Sequence, residues 1–178
     1  VKLPSSILTG QLESLVWIRP EGRGTFLESP IVENFVAAAL DAGHGDFVID
    51  LEACPGMDST FMGMLAGLGI KFRKKRTGSL TILGTSEKTK ASLIELGLHH
   101  LTRIEPADGP WSGRLEDFRS GLLPITADND TDKASHVLEC HENLCVADDS
   151  NLDRFKTVLE ILGSEMVSRP IGKPDSAR

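Results

Sequence analysis

Asp58-Ser59-Thr60 places a carboxylate and two hydroxyls in a row, directly ahead of Phe61, Leu65, Leu68 and Phe72 at helical spacing. A hydroxyl in the first turn of a helix lies near unpaired backbone N–H groups and the positive end of the helix dipole, where a phosphate is tolerated. Phosphorylation there would leave the domain folded but add about −1.5 to −2 charge and three acceptor oxygens to the surface. The same pair also reads as an ordinary helix N-cap, because Asp and Ser lead the preferences for that position.

Other reactive residues assemble less. Cys140-His141 and Cys145 could suggest a metal, but a structural zinc site needs four converging ligands and tighter paired spacing, so helical core and surface positions are expected instead. His99-His100 follow a helix end, which suits the dipole, and no matched ligands accompany them. Asp50 and Glu52 could be paired with Asp58 as acids, yet acids flanking a strand end are expected to be solvated or capping. Gly22-Arg23-Gly24 is too short for a dinucleotide fingerprint, and the chain has neither a phosphate-binding lysine loop nor a nucleophile-elbow serine. No nucleophile, base and oxyanion donors converge, so the expectation is no catalytic residue, no metal, no cofactor and no enzyme.

Composition narrows the partners. A formal charge of −7 repels phosphate backbones and anionic headgroups, which argues against nucleic acid and membrane surfaces. The longest apolar runs, such as Phe61 to Ile70, are interrupted by glycine and fall short of the roughly 20 residues that span a bilayer. The 40% hydrophobic and 25% charged residues describe a globular chain, and three cysteines fit a reducing cytoplasm better than a disulfide framework. The chain starts at Val1 without the layout of a signal peptide.

The elements that would position Ser59 alternate. Leu15-Val16-Trp17-Ile18, a turn at Pro20 to Gly24 and Thr25-Phe26-Leu27 read as a hairpin; Ser29 and Pro30 open a helix that ends near Ala42 and Gly43. Phe47 to Leu51 reads as a buried strand whose end delivers the loop Glu52 to Met57 and then the helix starting at Asp58-Ser59. That helix carries Gly63, Gly67 and Gly69, each costing roughly 0.5–1 kcal/mol relative to alanine, which predicts close approach to the sheet or a neighbouring helix. The basic run Lys71 to Arg76 closes it as a solvated cap. Leu80 to Gly84 is the next strand, Thr85 or Ser86 caps a helix ending near Gly97, and Thr102 to Ile104 is a last short strand. The expected class is α/β, in the order β-β-α-β-α-β-α-β, with parallel pairing between successive strands and helices packed on the sheet.

The stretch Val48-Ile49-Asp50-Leu51-Glu52-Ala53-Cys54-Pro55-Gly56-Met57-Asp58-Ser59-Thr60-Phe61-Met62-Gly63-Met64-Leu65 closely resembles the signature of the STAS family. There a strand ends in an acidic, leucine-containing turn, followed by Asp-Ser-Ser/Thr and a glycine-bearing helix. The resemblance covers about residues 11–105, including Leu96-Gly97-Leu98 at the end of the third helix. It implies a STAS-type sheet and an anti-sigma factor antagonist, a binding switch that sequesters a serine-kinase anti-sigma factor while Ser59 is unphosphorylated. Ser59 is then the phosphorylated residue and Thr60 the second candidate, Asp58 orients the helix start, and a serine phosphatase resets the switch. Asp58, Ser59, Thr60, Phe61 and Met62 form the expected partner-binding surface, with Phe61 standing where the family often has glycine. The alternative is a constitutive STAS subunit of a lipid-transport or transporter-associated complex, in which Asp58-Ser59 is a structural cap.

Residues 1–105 are accordingly expected to form the STAS domain, 106–132 a linker with a short helical or irregular piece, 133–168 a helical extension and 169–178 a disordered tail. In the extension, Leu152, Phe155, Leu159 and Leu162 form an apolar stripe expected to be covered, either by docking back onto the domain or across a homodimer.

Overall fold

The computed structural model describes residues 5–76, 78–125 and 132–168. The tail expected to be disordered, 169–178, and part of the expected linker, 126–131, lie outside the described residues. Strands β1 (Ser6–Leu12) and β2 (Leu15–Glu21) are followed by α1 (Ser29–Asp41), β3 (Asp46–Asp50), α2 (Ser59–Lys75), β4 (Ser79–Leu83), α3 (Glu87–Glu95) and β5 (Arg103–Ile104). Then come α4 (Leu115–Ser120), β6 (Leu123–Ile125), α5 (Lys133–Ala147) and α6 (Asn151–Ser168).

The six strands form one sheet in the order β5-β4-β3-β2-β1-β6. β2 to β5 pair in parallel, and β1 is antiparallel to both β2 and β6. The element order expected through β5 is therefore present, but the hairpin is displaced. It joins β1 to β2 through Glu13, which takes a φ of 58° in the turn, whereas Thr25 to Leu27 form a turn leading into α1. Ser29 is not the cap of α1 either: Glu28 occupies that position, and the Ser29 hydroxyl points inward to His136.

Strand alternation sorts the interior into two layers. Val16, Ile18, Phe47 and Ile49 face a main core shared with Val32 and Val36 of α1, Leu65, Leu68 and Phe72 of α2, and Cys140 and Leu144 of α5. Leu15, Trp17 and Val48 face the other side, where Trp111 and Phe118 cover them. Phe118 stacks on Trp17 with ring centroids 4.7 Å apart, and Trp111 meets Trp17 edge-on at 6.4 Å. The segment between β5 and α5 thus supplies both a cover for this second face and the outer strand β6.

Asp50 projects into that second layer with no solvent exposure, where an unpaired carboxylate would cost several kcal/mol. It is fully engaged instead. Arg119 of α4 donates through Nε at 2.7 Å and through Nη2 at 3.0 Å, Arg19 donates at 2.9 Å, the Trp17 indole N–H at 3.2 Å and the Glu52 backbone N–H at 3.2 Å. Arg19 also pairs with Glu52. Asp50 is therefore a structural anchor, not the solvated or capping acid expected at a strand end. Burial acts to raise its pKa, but the hydrogen bonds from Arg119 and Glu52 and the charges of Arg119 and Arg19 outweigh it and hold the carboxyl below its ordinary value.

Because the folded-state pKa is depressed, this contribution to stability is present above the unfolded carboxyl value of about 4 and is lost as pH falls through the lower folded value. Asp50→Ala removes the one buried acceptor that two guanidinium groups and an indole N–H share. It is expected to cost about 3–5 kcal/mol, measured as a lower urea midpoint, with a weaker loss of stability on acidification than in the parent protein.

Candidate functional site

Two loops at the same end of the sheet are laced together to present the start of α2. Gly22 N–H donates to Ala53 O, Gly24 N–H to Gly56 O and Asp58 N–H to Gly24 O, at 2.9–3.1 Å. Gly24 has to be glycine for this approach, since a Cβ there would sit 2.9 Å from the Phe61 ring. Asp58 then holds both loops through one carboxylate. Its Oδ1 accepts the Phe61 N–H at 2.8 Å, capping α2, and its Oδ2 accepts the Phe26 N–H at 2.9 Å.

Ser59 follows in the first turn, half-buried. Its hydroxyl lies 3.0 Å from Nε2 of His141 on α5, and His141 Nδ1 lies 2.8 Å from the Val137 carbonyl. A carbonyl only accepts, so a neutral His141 carries its hydrogen on Nδ1 and receives the Ser59 O–H at Nε2. The imidazole is packed edge-on against Phe155 of α6, with centroids 4.9 Å apart. The docking of the extension thus reaches the predicted modification site itself.

A second serine and histidine meet one and a half turns earlier on α5. Ser29 Oγ lies 2.7 Å from His136 Nε2, and His136 Nδ1 lies 3.1 Å from the Glu33 carboxylate. The hydrogen bond from His136 lowers the Glu33 pKa, working against burial. The arrangement has the residue types of a hydrolase triad, but Ser29 has no solvent exposure, which leaves no path for a substrate. It is a clamp on α5.

The other candidate residues separate. Thr60 is 5% exposed and Phe61 is completely buried beneath Gly24, so neither offers the contact surface expected of it; Phe61 is a core anchor for the helix start. Met62 is half-buried and lines, with Arg23, Met57 and Lys88, a cleft of about 110 Å³ beside the loop. Phe26 and Leu27 are exposed next to Asp58 and extend this surface. Cys140 faces the Gly63 backbone from within the core, where burial pushes its thiol pKa up, while Cys145 lies apart and half-exposed. His99 and His100 meet at the surface with their rings tilted by 42° and centroids 3.8 Å apart. Among the described residues no three His, Cys, Asp or Glu side chains come together as a metal site. Nor is any described helix long and apolar enough to cross a membrane.

Sequence reasoning did not single out His136, and it placed His141 in a helix beside Cys140 without foreseeing its serine partner. Their one signal was position, since both fall on the α5 face that carries Cys140 and Leu144, and polar residues on an apolar face call for partners. The docked part of the expected stripe on α6 is Phe155, which packs on the main core, with Leu159 and Leu162 half-buried. Leu152 remains 53% exposed.

No family model matches this sequence, and no curated protein matches it. Solved structures do resemble it. A Thermotoga maritima protein, TM1081, provisionally assigned as an anti-sigma factor antagonist, superposes with a TM-score of 0.52 at 17% identity, covering 62% of this chain and 92% of that one. The anti-sigma factor antagonist SpoIIAA in its unphosphorylated form gives a TM-score of 0.50 at 16% identity, covering 64% of this chain and 98% of that one. The fold is of the STAS type, as the motif over residues 48–65 implied.

Asp58→Ala removes the acceptor for both the Phe61 and the Phe26 N–H groups. The expected cost is about 1–2 kcal/mol in thermal or urea unfolding, with faster amide exchange in the loop at Thr25 to Leu27.

Proposed function

We propose that this protein is an anti-sigma factor antagonist, a binding switch and not an enzyme. In this reading, unphosphorylated Ser59 lets the α2 start and its flanking loops engage a serine-kinase anti-sigma factor in the cytoplasm, and a serine phosphatase restores that state after phosphorylation. The observation that carries the proposal is the position of Ser59: half-exposed, in the first turn of α2, capped by Asp58, at the loop cluster of a STAS-type fold. The contacting surface is Asp58, Ser59 and Met62 with the exposed Phe26 and Leu27 beside them.

The chemistry supports a negative switch. A phosphoryl group beside the Asp58 carboxylate adds like charge at the point of contact, so a docked partner must either desolvate it or dissociate. The occupied Ser59 hydroxyl favours a second reading, in which Asp58-Ser59 is only a structural cap of a constitutive STAS subunit in a lipid-transport or transporter-associated complex. In either case α6 offers a homodimer surface through Leu152 and Ile161, which are 53% and 54% exposed.

Incubation with candidate kinases and ATP, followed by mass spectrometry of the tryptic peptides, separates the two readings. The switch requires phosphate on Ser59, with Thr60 disfavoured by its burial. Ser59→Ala is expected to hold the anti-sigma partner whether or not ATP is present. Ser59→Asp is expected to weaken the complex at least tenfold, about 1.4 kcal/mol, in a titration with that partner. Unchanged binding by a folded Ser59→Asp protein would overturn the switch.

A further inference from the structure

The face of α2 that begins at Ser59 already has an occupant in this chain. α5 lies along it so closely that a Cβ at Gly63 would fall on the Cys140 carbonyl, and a Cβ at Gly67 on the Asn143 side chain. At the end of that contact His141 accepts the Ser59 hydroxyl, with its own ring fixed by Val137 and Phe155 and only 3% of the residue exposed. We propose that the Ser59–His141 hydrogen bond is a latch, and that a phosphoryl group on Ser59 opens it and loosens α5 and α6 from α2.

Phosphorylation replaces the bond on which the latch depends. Transfer of the γ-phosphoryl group of a nucleoside triphosphate breaks its bond to the diphosphate leaving group, forms Ser59 Oγ–P and releases the hydroxyl proton to solvent. The hydrogen that binds Ser59 to His141 is thereby lost. With Nδ1–H committed to the Val137 carbonyl, a neutral His141 presents only a lone pair at Nε2, so two acceptors are left facing each other at a spacing of 3.0 Å. The phosphoryl oxygens need room as well. Backbone contact at Gly63, one turn along, leaves α5 no side-chain layer through which to yield gradually.

The clamp at His136 is untouched by this change, which sets the direction of opening. Ser29, His136 and Glu33 hold the first turn of α5, whereas the stretch from His141 onward, with α6 behind it, loses its tie. The proposal takes Ser59 as the modified residue, as above, but needs no partner protein.

Its test uses the full chain carrying phosphoserine at position 59, introduced during translation by an expanded genetic code, and reads amide hydrogen exchange by mass spectrometry. Exchange across residues 138–147 and 151–162 is expected to rise at least tenfold over the unmodified chain, while β2, β3 and β4 keep their protection. Gly63→Ala, unphosphorylated, serves as the reference for an undocked extension, because its Cβ and the Cys140 carbonyl cannot share one position. If phosphoserine leaves exchange in these segments unchanged or slower while Gly63→Ala raises it, the latch is overturned. That result would leave the anti-sigma reading standing, since partner binding is measured separately.

Discussion

Two helices bring their backbones into contact only where side chains are missing, and the contact of α2 with α5 is of this kind. Gly63 and Gly67 leave α2 bare along one face, and Cys140 and Asn143 of α5 fill the space. Closing the gap this far buries the polar groups that lie along it, which then need partners inside the protein. Ser29 and Ser59 meet His136 and His141, and Asn151 at the entry to α6 donates to the Leu96 and Leu144 carbonyls. The candidate site inherits its geometry from that requirement. A helix held further away would leave Ser59 with water for a partner.

The other end of the design is the carboxylate of Asp50. It shares a strand end and an acidic neighbour with many reactive aspartates, but five donors surround it and none of its acceptor capacity is left for a substrate. Its work is to fix α4 against Trp17 and, through Arg19 and Glu52, to steady the loop that leads to Asp58. The two aspartates near Ser59 along the chain therefore do different things. Asp50 ties layers together, and Asp58 ties loops together.

Much of this was legible in the sequence because it depends on local rules. Asp58 as the cap of α2, Ser86 as the cap of α3 and the left-handed Gly97 after it are residue preferences acting over three or four positions. The buried strand at Phe47 to Ile49 announced itself by composition. What escaped was set by pairing across distance. β1 holds Ser6, Thr9, Gly10 and Gln11, a weak strand pattern that becomes ordered because β2 and β6 flank it. β6 contains Pro124, which argues against a strand unless its N–H side is unpaired. The glycines of α2 correctly forecast a close neighbour, but which helix would come, and that it would carry two histidines to two serines, depended on a partner more than seventy residues away.

The outer strands of the sheet have a consequence for how this molecule can associate. Among the described residues β5 contributes two and β6 three, with a proline in the middle of β6, so neither rim offers there a row of free amide and carbonyl groups long enough to template another strand. Along these described rims, growth of the sheet from copy to copy is disfavoured by brevity and by the missing proline hydrogen. That arrangement favours contact with another protein through side chains on helices and loops, where recognition is set by shape and charge and not by backbone pairing that any extended chain could satisfy.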